Sequence, residues 1–115
     1  MESNSTPQGP VLRLFDVRVK PGCVTKLLDE FATTSARVVH GKPGNEGYFF
    51  GHEVASDRES VIFASVWKDL DAVRARFGDD WQVSFLPAGY EDLIESCSVR
   101  HIDLSEGWHV TIERP

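Results

Sequence analysis

The sequence predicts an α+β domain of the ferredoxin-like type: an antiparallel sheet built in the order βαββαβ, with both helices on one face. Three observations carry this. Apolar and polar residues alternate from Val11 to Val19, apolar residues recur at helical spacing from Val24 to Val39, and a strand from Ser60 to Trp67 turns through Lys68-Asp69 into a second helix.

Strand one places Val11, Arg13, Phe15, Val17 and Val19 on one face and Leu12, Leu14, Asp16 and Arg18 on the other. Pro21-Gly22 breaks it. Val24, Leu27, Leu28, Phe31, Ser35, Val38 and Val39 then form the stripe of an amphipathic helix from about Cys23 to about Val39. His40 to Gly47 is turn chemistry and delivers the chain to strand two, Tyr48-Phe49-Phe50-Gly51-His52-Glu53-Val54. Ala55 to Glu59 has the length and polarity of a hairpin loop, so strands two and three are expected side by side and antiparallel.

Residues Val61 to Trp67 are β-branched, aromatic or small, as a covered strand prefers, and Asp69 can cap the helix that follows. Leu70, Val73 and Phe77 are the stripe of that helix, which stops at Gly78-Asp79-Asp80. Tyr90 to Ile94 can add one helical turn. Strand four is Glu95 to Leu104, with Cys97, Val99, His101 and Asp103 alternating against Ser96, Ser98, Arg100 and Ile102. Residues 11–104 thus form the domain, and 105–115 a tail in which Trp108, Val110 and Ile112 suggest a short fifth strand at a subunit interface. Strands one to three are apolar on both faces, so the face away from the helices needs cover, most simply from a second copy of the chain.

At 115 residues the chain suits one core, and its 41% hydrophobic and 26% charged residues are those of a soluble globular protein. It contains no apolar run near the roughly 18 residues of a membrane span. A net charge of −6 with singly scattered Lys and Arg argues against a nucleic-acid partner. Residues 1–10 are polar and rich in Ser and Pro, without the form of a secretion signal, and read as a disordered leader on a cytoplasmic protein. Cys23 and Cys97 are then expected as free thiols.

His40, His52, His101 and His109 show no metal-ligand spacing, and phosphate-loop, dinucleotide and GxSxG motifs are lacking, so neither metal nor cofactor is expected. What remains is an aromatic and polar set that could surround a flat organic ligand: Phe15, Tyr48, Phe50, His52, Phe63, Ser65, Trp67, Trp81, Tyr90 and His101. Alternation puts Phe63, Ser65 and Trp67 on one face, where Phe15 can join them. Trp67, at the strand's end, is the residue placed to floor a cleft.

These residues resemble the antibiotic biosynthesis monooxygenase (ABM) family of dimeric α/β-barrel proteins. The resemblance lies in Phe15-Asp16-Val17-Arg18-Val19-Lys20-Pro21-Gly22 before a helix, in Gly47-Tyr48 opening strand two, and in Phe63-Ala64-Ser65-Val66-Trp67-Lys68-Asp69 with Ala72 after it. It implies a homodimer whose sheets close into a barrel, with a cleft between each sheet and its own helices. It also implies one of two chemistries: cofactor-free oxygenation of polycyclic phenols or quinols, in which an enolate or phenolate reduces O2 directly, or haem degradation.

Trp67 matches the cleft-lining Trp of both groups. The haem-degrading members carry an Asn where this chain has Phe15, and a haem-ligating His where it has Phe77 or a neighbour. Iron would lack an axial ligand, so haem degradation is disfavoured. The polar residues that orient phenolic substrates correspond to Phe63 and Val73. The resulting expectation is a cofactor-independent monooxygenase-like protein acting on an aromatic, enolisable small molecule. Trp67 would form the pocket wall together with Phe15, Phe63, Ser65 and Trp81. His101 or His52 would be the base, and Tyr48 or Tyr90 would bond a substrate oxygen. The alternative is a non-catalytic module of the same fold that binds a small hydrophobic ligand or serves in dimerisation. Residues 77–90 either lid the cleft, with Trp81 and Tyr90 pointing inward, or pack over the end of the sheet.

Overall fold

β1 (Val11–Val19) runs through the middle of an antiparallel sheet of order β2-β3-β1-β4, with β2 at Asn45–His52, β3 at Ser60–Trp67 and β4 at Ile94–Asp103. The computed structural model describes residues 9–54 and 59–107; the expected strand around Trp108, Val110 and Ile112 and most of the leader lie outside them. The antiparallel α+β arrangement read from the sequence is the one observed.

One helical stretch joins β1 to β2: α1 (Val24–Glu30), a π-helical turn (Phe31–Ser35) and α2 (Ala36–Val39). Apolar spacing predicts this stretch as one regular helix and does not show the wider turn. Two threonines account for it locally. The Thr33 hydroxyl donates back to the Asp29 carbonyl at 2.9 Å and Thr34 bonds the Glu30 carboxylate at 2.7 Å, and such back-bonds loosen the helical ladder. Across the wider turn Phe31 and Ser35 both face inward.

α3 (Leu70–Phe77) begins on Asp69, whose carboxylate accepts from the Ala72 amide at 2.9 Å, as expected of an N-cap. It is tied to α2 by Arg76, which donates through Nε to the Val38 carbonyl near the end of that helix at 2.6 Å. The loop before β2 passes closely over α3. There Gly44 has φ +83°, and a Cβ at that position would stand 2.5 Å from the Ala72 Cβ.

β2 starts earlier than the aromatic run suggests. Asn45 pairs with Trp67, its side-chain amide reaches the carbonyls of Gly47 and Val66 at 3.2 Å each, and the strand bulges between Asn45 and Gly47. Phe31 is the hub of the core, packed by tilted and edge contacts against Phe15, Phe50, Phe63 and Tyr90 at centroid distances of 5.4–6.4 Å. On the opposite face of the sheet Leu12, Leu14 and Ile62 are only partly covered, and Phe49 and Ile102 are exposed. Cys23 and Cys97 are free thiols. No helix of the described residues is long and apolar enough to cross a membrane.

Candidate functional site

The register of the sheet aligns Ser65, Arg13 and His101 in a row across β3, β1 and β4, all on the helix-facing side. Next along the same face is the pair Phe15 and Phe63. A cavity opens over Ser65, Arg13, Phe15 and Phe63, with His101 outside its lining. Its floor is Arg13, Phe15, Phe63 and Ser65, its helical wall is Ser35, Val38, Val39 and Phe77, and Phe85 and Pro87 of the loop after α3 close it. The cleft is partly open to solvent and offers about 40 Å3, room for a few waters, so a ring needs more space than Phe85 and Pro87 leave in this arrangement. Val83, Phe85 and Leu86 on that loop are all exposed.

Arg13 is the dominant group. The residue is 6% exposed, its guanidinium lies 3.8 Å from the centre of the Phe77 ring, and among the described residues no carboxylate pairs with it. Instead Nη1 donates to the Trp81 carbonyl and to His101 Nε2 at 3.0 Å, while Nη2 donates to the Val83 carbonyl at 3.2 Å. Burial lowers the guanidinium's pKa to about 10, which leaves it a cation at neutral pH.

His101 accepts from that cation, so its ring carries its proton on Nδ1. Burial, and then the Arg13 charge, lower its pKa to about 4. An imidazole whose lone pair is already engaged, and whose acid form is disfavoured near neutrality, is a poor base there. In this arrangement the lone pair expected to act as a base is held by Arg13. His52 is no substitute, because it is exposed on the outer strand β2 and does not line the cavity.

Trp67, expected as the wall, stands behind it. The indole is fully buried, packs edge-on against Phe77, and donates through Nε1 to Ser65 Oγ at 2.9 Å. With one lone pair of that oxygen occupied, the serine hydroxyl keeps its own proton for an acceptor in the cavity. Tyr90 is likewise structural in placement. Its hydroxyl is 2.6 Å from Ser35 Oγ and 3.2 Å from the Glu30 carbonyl, and burial raises its pKa. Tyr48 stacks on Phe63, outside the cavity lining. Trp81 contributes its carbonyl to Arg13 and sets its ring edge-on to His101 at 4.9 Å.

Of the expected residues, then, Phe15, Phe63 and Ser65 meet in the cavity, and the loop closes it with Phe85 and Pro87 rather than with Trp81 and Tyr90. Arg13, Ser35 and Phe77 were not expected there. A signal for Arg13 was present in the sequence, since it is the one charged residue on the otherwise apolar face of strand one.

Residues 10–80 match the sequence profile of the antibiotic biosynthesis monooxygenase family. The chain belongs to the antibiotic biosynthesis monooxygenase (ABM) family. Several solved structures share the ABM fold with it. Protein PA3566 from Pseudomonas aeruginosa superposes with a TM-score of 0.64 at 16% identity, covering 86% of this chain and 97% of that one. SnoaB, a cofactor-independent oxygenase from Streptomyces nogalater, gives 0.59 at 18% identity over 92% and 99%. The haem-degrader MhuD from Mycobacterium tuberculosis gives 0.65 at 17% identity over 88% and 99%. At such identities the likeness establishes the fold of this ABM chain. No curated protein matches its sequence.

Proposed function

We propose that this ABM protein is a cofactor-independent monooxygenase acting on an aromatic, enolisable small molecule held between the sheet and helices α1 to α3. The observation that carries the reading is the cleft itself: four phenylalanines, Phe15, Phe63, Phe77 and Phe85, line it together with the cross-strand pair Arg13 and Ser65 and the Ser35 hydroxyl. An ionised enol or phenol can pass an electron to O2, recombine to a carbon peroxide and lose water to give a ketone. The substrate supplies all four electrons, so the protein has only to bind it, favour its anion and exclude bulk water. A buried guanidinium favours such an anion without acting as a base.

The cleft-lining residues do not fit a haem. They include no imidazole, thiolate, thioether or phenol for an axial position, and on α3 Phe77 or a neighbour stands where the resemblance implies a haem-ligating His. The exposed Phe49 and Ile102, beside Leu12, Leu14 and Ile62, support a homodimer formed through the sheet face away from the cleft.

O2 uptake with a panel of anthrones and quinols tests the activity, with a Soret titration alongside. Protein-dependent O2 consumption accompanied by a ketone or quinone product is the expected result. A second reading, a non-catalytic binder of the same ligands, is favoured by the engagement of His101, which leaves the cleft without a free base near neutrality. Retention of a ligand with no O2 consumed would select it.

A further inference from the structure

Arg13 is a cation placed where cations are costly. Burying an ion without a counter-charge is costly, and the three hydrogen bonds and the Phe77 ring that Arg13 gains in return are all neutral. Its hydrogen bonds show what it is shaped to hold. Nη1 reaches the Trp81 carbonyl and Nη2 reaches the Val83 carbonyl, so each terminal nitrogen of the fork holds one oxygen, the two tips that a single carboxylate would engage together. Both oxygens belong to the loop whose Phe85 and Pro87 close the cavity, and that loop exposes three apolar side chains, as a weakly held segment does. Carbonyls are neutral, and the exchange of two of them for a carboxylate supplies the missing charge.

We infer that the cleft takes an aromatic carboxylate, its two oxygens replacing the Trp81 and Val83 carbonyls on Arg13 and its ring lying among Phe15, Phe63 and Phe77. This rests on the reading of the cleft as an aromatic site and adds the acid group that the ligand must carry. The Ser65 hydroxyl, oriented by Trp67, stands beside Arg13 in the cross-strand row and can donate to the same group. Entry of the acid frees the loop, and Trp81 then leaves the edge of His101.

Titration of the full-length protein with 2-naphthoate and with its neutral amide, 2-naphthamide, followed by calorimetry and by tryptophan fluorescence, tests the inference. The acid is expected to bind at least tenfold more tightly than the amide and to shift the emission. Arg13→Met should bring the two to equal affinity, and Arg13→Lys should keep part of the preference. Equal affinities in the unaltered protein, or a preference that survives in Arg13→Met, would overturn the carboxylate and leave the aromatic cleft standing. Failure of both compounds to bind would overturn the cleft together with it.

Discussion

Arg13 Nη1 donates to His101 Nε2 across the β1–β4 register, and this bond fixes the state of both side chains. The guanidinium has no lone pair to offer, so the imidazole must be the acceptor and must be neutral. A second proton on His101 would break the bond and set two cations against each other beside Trp81.

The first prediction follows from that relationship. The His101 pKa is lowered on folding from an ordinary 6.5 to about 4, so the unfolded chain binds the proton more readily. The stability that neutral His101 contributes is whole above pH 6.5, declines as the pH falls below it, and is gone by about pH 4. Solvent screening at this part-exposed ring keeps the contribution below the ~3 kcal/mol that the full shift would carry. Urea unfolding at pH 7.5, 5.5 and 4.5 should show a steeper loss for the native sequence than for His101→Gln. Parallel curves would mean that the ring accepts its proton freely.

Tyr90 should behave as a structural residue. Tyr90→Phe removes the hydroxyl from between Ser35 and the Glu30 carbonyl and should cost ~1–2 kcal/mol. Ligand affinity should change less than twofold. A selective loss of O2 uptake with unchanged unfolding would restore the catalytic role expected from the sequence.

Trp67→Phe should lower stability by ~1–3 kcal/mol, through lost volume at a fully buried site and the loss of its bond to Ser65. Any change in ligand affinity should be matched by Ser65→Ala, and Trp67→Phe in the Ser65→Ala background should then add no further effect on binding. A large extra effect would place the indole in direct contact with the ligand.

Phe85 is half exposed and closes the cavity, so Phe85→Ala should cost less than ~1 kcal/mol while easing access. Stopped-flow mixing with 2-naphthoate should show association several-fold faster than in the native sequence. An unchanged rate would show that the loop does not limit entry.

Gly44→Ala places a side chain against Ala72 at a backbone angle that favours glycine. The two effects together should cost ~2–4 kcal/mol in thermal unfolding, with the loop before β2 and α3 forced apart. A loss under half a kcal/mol would show that α3 can shift freely.

The sheet was legible because its alternation is strong. Odd residues of β1 and β3 point to the helices and even ones away, which pairs Phe15 with Phe63 as period two requires. The Asp69 cap and the end of α3 before Gly78 were legible for similar local reasons. The π-turn was hidden because Thr33 and Thr34 change the ladder without interrupting the apolar stripe. The site was harder to read, because aromatic residue types do not reveal depth. Trp67, Tyr48 and Phe63 look equivalent in sequence, yet only Phe63 reaches the cavity, and the partners of Arg13 come from segments 68 to 88 residues away.

The row formed by Ser65, Arg13 and His101 also bears on redesign. Neighbouring strands are about 4.8 Å apart, so these positions are rungs whose spacing the backbone sets and whose chemistry the side chains set. Exchanging Arg13 or Ser65 alters the chemistry of the cavity floor while the distance to the next rung stays put. The polar lining of the cleft can therefore be rewritten one position at a time, with the sheet serving as the ruler.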